Sequence, residues 1–339
     1  MDMISFGTIF LELVFGHLDA LPGPGEEIFT EEFAISCGGA VTSATAAAAA
    51  GMRAGMCSVL GEDLGSQVVT AHCAAAGVDT APSLRVTGPA AGITIVLNFA
   101  GDRGFITHVP RMAGSRSEGA DGSPAASGFR LFDSDWRNAE IERWSVVLEE
   151  QRPAWCYLHA GPAVPAFLRQ ARALGCKIML DTALGDERDR GAIIDCVRLA
   201  DVFVPNADEL LRLTGTGTLE SAMAAARGWG TRLVVTRGEA GALVAEIDGT
   251  ITEVAEGVSQ VQVRDRTGAG DNFAGALIAA LHGGASLEQA AAAGNAAGSR
   301  AVGQLGAVGE VGSGSGAGWP FSIPATVVGD ALAAGVRKG

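Results

Sequence analysis

At 339 residues the chain has room for one large α/β domain with a small appendage, or for two modest domains, and a core of that size buries most of its apolar surface. Apolar residues make up 48% of it, yet no run reaches the roughly 18 uncharged apolar residues of a membrane helix, so a membrane span is excluded. The formal net charge is −14 and the only lysines are Lys177 and Lys338, which excludes the clustered positive charge of a nucleic-acid footprint and leaves a small molecule as the expected partner.

Met1 to Phe10 carries no basic residue ahead of its apolar stretch, so it reads as a first core strand rather than a signal peptide, and residence in the cytoplasm is expected. Glu12 to Phe33 is rich in Gly, Pro and acidic residues and breaks the apolar rhythm. Gly38-Gly39-Ala40 then opens the alanine-rich stretch Val41 to Ala50, as a glycine turn opens a buried helix. Short apolar segments recur between alanine-rich stretches: Ile4–Ile9, Ala54–Leu60, Ile93–Phe99, Trp155–His159, Lys177–Leu180, Val202–Val204, Arg232–Thr236 and Gly241–Glu246. Strands spaced in this way predict βαβ units and a mostly parallel sheet covered on both faces, an α/β fold. Arg85 to His108 reads as successive strands with no helix between them. Residues 113–128 are Gly, Ser, Ala and Asp with little to bury, which predicts a mobile surface loop.

Six cysteines (Cys37, Cys57, Cys73, Cys156, Cys176, Cys196) form no CxxC pair and have no histidine at zinc-finger spacing, so they read as reduced thiols. The five histidines form no HExxH or HxH cluster, and a protein-built transition-metal site is not expected. His159 and Gly161 end a strand where α/β enzymes place ligand contacts; a structural histidine is an equal reading. Asp181 ends the next strand. Pro205-Asn206-Ala207-Asp208-Glu209 follows Val202–Val204 and has two readings, a helix capping box or an amide and a carboxylate disposed toward a metal. Val235-Thr236-Arg237-Gly238-Glu239-Ala240-Gly241 reads as a strand, a glycine turn and a strand.

The most informative stretch is Asp265-Arg-Thr-Gly268-Ala269-Gly270-Asp271-Asn-Phe-Ala-Gly-Ala-Leu. Helical periodicity begins after Asp271, so Gly268, Ala269 and Gly270 sit where a loop becomes a helix N-terminus. Free amides and the positive end of the helix dipole favour an anion there, such as a transferring phosphoryl group. A carboxylate directly after them is placed to take a proton from an attacking hydroxyl. The tail Gly306 to Gly318 is glycine-rich, with little to bury. Its GSGSGAG run is no dinucleotide loop, since no strand precedes it and Trp319-Pro320 follows.

The DRTGAGDNFAGAL stretch resembles the carboxy-terminal signature of the ribokinase-like (PfkB) carbohydrate kinases. Gly38-Gly39 through Gly61-Glu-Asp63 looks like the amino-terminal one. The resemblance spans about Phe6 to Arg300 and implies a single ribokinase-like kinase domain over 1–339. Its fold would be doubly wound α/β, a mostly parallel sheet flanked by helices with a small β lid from about 12–35 and 85–110. It implies ATP-dependent phosphorylation of a hydroxyl on a sugar or sugar-like molecule, with Asp271 as base and the Gly268, Ala269 and Gly270 amides on the phosphoryl group. Asn206 and Glu209 would organise Mg²⁺, partly through water. Thr236, Gly238, Gly241 and Asn295 would hold ATP, Asp265 and Thr267 would surround K⁺, and Glu12, Gly38, Gly39 and Ser43 would bind substrate. Glu12 stands where the family has an Asp, and Ser43 where it has an Asn, so the departures fall on the sugar side. A nucleoside or cyclitol kinase, or a non-catalytic sugar-binding relative, stays open, as does a homodimer through the lid. No GxxxxGK[ST] loop and no HRD plus DFG pair is present, which excludes Walker-type NTPases and protein kinases.

Overall fold

Apolar strands alternating with alanine-rich helices build a large sheet, a small sheet and one further strand pair in the computed structural model, which describes residues 1–99, 102–110, 135–182, 189–257, 261–309 and 311, with residues 135–139 by backbone alone. The loop expected at 113–128 and the tail from 312 on lie outside the described residues. The large sheet has eight strands: β1 (Met3–Phe6), β4 (Ala54–Cys57), β9 (Trp155–Ala160), β10 (Lys177–Thr182), β11 (Val202–Phe203), β12 (Arg232–Thr236), β13 (Ala242–Ala245) and β14 (Ile251–Val254). Their order is β14-β13-β12-β11-β10-β9-β1-β4, parallel from β4 to β12, with β13 and β14 added as antiparallel edge strands.

Alternation along each strand sends side chains to two cores. Cys156 and Leu158 of β9 and Ile178 and Leu180 of β10 pack against α3 (Asp135–Gln151), α4 (Pro165–Ala173) and α5 (Arg190–Val197), with α6 (Ala207–Thr214) and α7 (Leu219–Ala226) beside them. Trp155, Tyr157 and Met179 face the other way, onto α1 (Ala40–Ala49), α8 (Ala269–His282) and α9 (Leu287–Ala301). Helices on both faces of a mostly parallel sheet make the fold doubly wound α/β. Among the described residues no helix is long and apolar enough to cross a membrane, and all six cysteines are free and buried.

The second sheet has four strands in the order β3 (Glu32–Gly39), β2 (Ile9–Leu18), β7 (Gly92–Phe99) and β8 (Arg103–His108). The apolar start of the chain is therefore not one strand. β1 ends at Phe6, the Thr8 carbonyl turns aside to accept the amide of Ala40, and β2 departs into the small sheet. The segment expected at Ala54–Leu60 likewise divides into β4 and a short β5 (Val59–Leu60), which pairs with β6 (Leu84–Arg85). α2 (Leu64–Ala76) is capped by Asp63, whose carboxylate accepts from Ser66 and from the amide of Ala90.

Candidate active site

Helix α8 begins at Gly268, which adopts φ +72°, and a β-carbon there would overlap Ala307. Only glycine satisfies both demands without strain. The turn before it is knotted by Asp265, which is 2% exposed. Asp265 Oδ1 accepts from the Thr267 amide (2.9 Å) and hydroxyl (2.6 Å), and Oδ2 from the amide of Gly306 (2.8 Å). From the helix side the Asn272 amide group donates to the carbonyls of Gly268 (2.9 Å) and Ala307 (2.8 Å). Leu305, Gly306 and Ala307 are therefore buried across the Gly268 turn, contrary to the expectation that the segment from Gly306 has little to bury; small residues let it lie flat against backbone.

Ala269 and Gly270 lead into Asp271 in the first turn of α8, where amides lack intrahelical acceptors and the dipole is positive. Asp271 meets the carboxyl ends of β9 and β10. The Tyr157 hydroxyl donates toward both Asp271 Oδ1 (3.1 Å) and Asp181 Oδ2 (3.1 Å), and ring and carboxylate atoms of His159, Asp181 and Asp271 come within 4.8 Å of one another. Burial lifts the Asp271 carboxyl above the usual carboxylate range, opposed by His159 and by the Tyr157 hydroxyl. Burial and then the charge of Asp271 push Asp181 up to about 7; burial and the charge of Asp181 push Glu209 up to about 7. Burial and the same two carboxylates push the Tyr157 phenol well up, so its proton stays on. Crowded hard oxygen donors of this kind fit a divalent cation that keeps part of its water shell.

Asn206 and Glu209 form the capping box of α6: Asn206 Oδ1 accepts the Glu209 amide (2.9 Å) and Glu209 Oε2 accepts the Asn206 amide (2.9 Å). That arrangement fixes Glu209 beside Asp181 rather than competing with a metal role, because one carboxylate oxygen is left over. Thr236 pairs with Asn206 and gives its amide to Pro205, so the end of β12 sits directly beside this cap. Gly238, exposed, and Gly241, buried, bracket the turn that follows. Asn295 is buried, its amide given to the carbonyl of Ala255 (2.7 Å), so it closes the end of β14. Both oxygens of Asp265 are taken by protein donors, and the Thr267 hydroxyl donates to one of them.

On the small sheet Glu12 is 6% exposed and its Oε2 accepts from the Ala307 amide (3.3 Å). A β-carbon at Gly38 would overlap the Glu12 carboxylate, so the glycine makes the room that the longer side chain needs. Gly39 caps α1. Burial, then the nearby charges of Asp265 and Asp271, push Glu12 up to about 7, against the pull of Arg103 and the Ala307 amide. Ser43 stands apart: it is fully buried and its hydroxyl meets that of Ser5 at 2.9 Å, so it joins α1 to β1 inside the core. The structure thus brings Asp271, Glu209, His159 and Asp181 together, sets Glu12 and Gly38 on the facing sheet, and keeps Ser43 out of both groups. Tyr157 and the Leu305–Ala307 segment are the site features that sequence reasoning missed.

Residues 15–311 match the model of the pfkB family carbohydrate kinases. A cytidine kinase of Thermococcus kodakarensis is 37% identical over 102 residues, 30% of this chain and 36% of that relative, so the matched stretch spans little more than a third of the curated protein. Among solved structures, adenosine kinase from Sinorhizobium meliloti superposes with a TM-score of 0.69 at 19% identity, covering 90% of this chain and 95% of the other. Arabidopsis thaliana ribokinase complexed with ribose and ATP gives 0.67 at 20% identity, over 89% and 92% of the two chains.

Proposed function

Because the chain belongs to the pfkB family of carbohydrate kinases, we propose that it transfers the γ-phosphoryl group of MgATP to a hydroxyl of a sugar or sugar-like molecule. The observation that carries this reading is a half-buried Asp271 at the open end of α8, raised in proton affinity, beside first-turn amides that lack helical acceptors. The substrate oxygen attacks the γ-phosphorus, the bond to the ADP oxygen breaks, and Asp271 takes the hydroxyl proton. Amides of Gly268, Ala269 and Gly270 meet the charge on the transferring group. Glu209 and Asn206 would hold the Mg²⁺ that accompanies the nucleotide, partly through water, and the ion would neutralise phosphate charge there. Thr236, Gly238 and Gly241 line the nucleotide side, next to Asn206.

The small sheet acts as the lid: it carries Glu12 and Gly38 toward the substrate, and its closure excludes water from the phosphoryl group. Phe33, Ile93 and Ile106 share its other face and are 47%, 41% and 57% exposed, which supports a homodimer through the lid, read by light scattering. K⁺ would be held near Asp265 and Thr267, whose side chains are tied to each other and to the Gly306 amide; rates in potassium and in Tris-only buffer test it. A nucleoside as acceptor is the second reading, favoured by the similarity to a cytidine kinase.

The deciding experiment is ADP release by the purified protein with Mg²⁺ and ATP across sugars, sugar phosphates, nucleosides and cyclitols. Turnover with one class identifies the acceptor. Binding of a sugar with no ATP consumed anywhere in the panel would replace the kinase by a binding protein.

A further inference from the structure

Tyr157 is the single tyrosine of the chain and is 1% exposed, on the face of β9 that packs into the apolar core with Met179, Phe273 and Ala274. A phenylalanine would fill that position without the cost of burying a hydroxyl, which is favourable only where a partner repays it. Here the partners are two carboxylates from distant parts of the chain, Asp181 Oδ2 and Asp271 Oδ1, each at 3.1 Å. His159, two residues on along the same face, sets its ring edge-on to Tyr157 with centroids 6.0 Å apart and closes the other side of the group.

We propose that Tyr157 is a positioning residue for Asp271, pinning Oδ1 of the carboxylate so that Oδ2 is the oxygen offered to the substrate hydroxyl. The inference rests on the reading of Asp271 as the base. An aspartate carboxylate rotates over a broad, roughly two-fold torsion, and one fixed hydrogen bond selects its orientation. The same hydroxyl stands between Asp271 and Asp181, so two like-charged groups share one donor instead of facing each other bare. A phenol held in a packed strand has no conformational freedom to lose when the substrate arrives, which is what orientation of a reacting group requires.

Two measurements test this, one of them independent of turnover. With the tyrosine ring labelled at the carbon bearing the hydroxyl, the chain gives a single ¹³C resonance, which reports the hydrogen bonding of that hydroxyl. It is expected to move in both Asp271→Asn and Asp181→Asn and to stay in place in Asp195→Asn, which alters only an exposed ion pair on α5. Tyr157→Phe is expected to lower kcat about tenfold while both KM values change little. A resonance that neither Asp271→Asn nor Asp181→Asn moves overturns the bridge. Wild-type kcat in a folded Tyr157→Phe overturns the positioning role, and so does a parallel fall of kcat, affinity and melting temperature, which marks plain structural support. Turnover retained by Asp271→Asn fails the base reading and the catalytic purpose of the bridge with it, whereas an unmoved resonance fails the bridge alone.

Discussion

Asp265 and Asp271 lie six residues apart at the two ends of one glycine turn, and their surroundings are opposite. Asp265 is buried and accepts three hydrogen bonds from Thr267 and Gly306, so its oxygens are committed to holding the turn against the Leu305–Ala307 segment. Asp271 is half-buried, receives the Tyr157 hydroxyl on one oxygen, and sits beside Asp181 and His159 with its proton affinity raised. A carboxylate saturated by fixed donors is structural, because its charge is already spent on the fold. One that is crowded, desolvated and underbonded has a use for a proton.

The largest effect should fall on the reactive end. Asp271→Asn keeps the side-chain volume and removes the base, and is expected to lower kcat about a thousandfold with the fold intact, measured by ADP release and by circular dichroism. Near wild-type turnover in the folded variant would erase the distinction between the two acids. At the structural end, Gly268→Ala forces a β-carbon against Ala307 at φ +72° and should destabilise the protein by roughly 2–4 kcal/mol in urea unfolding. A change under about 0.5 kcal/mol would show that the turn is not held by the 305–307 segment.

How far each end was legible follows from how local its signal is. Asp265, Gly268 and Asp271 stand in one run whose glycines precede helical periodicity, so the turn and the acid could be read directly. The capping box of Asn206 and Glu209 is equally local, a spacing of three before an apolar run. Tyr157 gave no such sign: it lies in Trp155–His159, an uninterrupted apolar strand buried on both faces, and its partner Asp271 is 114 residues away. Only the sheet order, which sets β9 and β10 side by side near the start of α8, brings them together. Ala307 was hidden for the same reason, since a run of small residues looks alike whether it is solvated or laid against a turn. At Ser43 the glycine pair before it suggests an open ligand surface, and nothing local reports the burial of its hydroxyl against Ser5. α1 instead buries Val41, Thr42, Ser43 and Ala44 in succession between β1 and its neighbouring helices.

The comparison extends to the facing sheet through Glu12, a third acid whose surroundings resemble those of Asp271 more than those of Asp265. Its carboxyl is pushed up to about 7 from an ordinary 4.5. Between those two pH values the folded chain keeps a proton that the unfolded chain has released, so stability falls as pH rises from about 4.5 and levels off above about 7. Glu12→Gln carries no ionisable proton. The difference in unfolding free energy between variant and parent should therefore grow across that window in the variant's favour, by at most roughly 3 kcal/mol. A difference that is flat with pH would place Glu12 among the acids spent on structure, beside Asp265.

The smallest effect separates packing from chemistry on the small-molecule side. Ser43→Ala removes one partner of the buried Ser5 hydroxyl and leaves it without that bond, a cost of about 1 kcal/mol. Because Ser43 faces β1 and not the carboxylate group, that cost should appear entirely in the unfolding midpoint, with kcat and the KM of the acceptor unchanged. A raised KM at wild-type stability would mean that α1 turns its Ser43 face toward the substrate when the lid closes. The departure from the family's pattern would then be a specificity device, and the division drawn between fixed and reactive polar groups would not hold at this helix. With KM unmoved, the departures that bear on specificity reduce to Glu12, the acid whose longer side chain Gly38 makes room for.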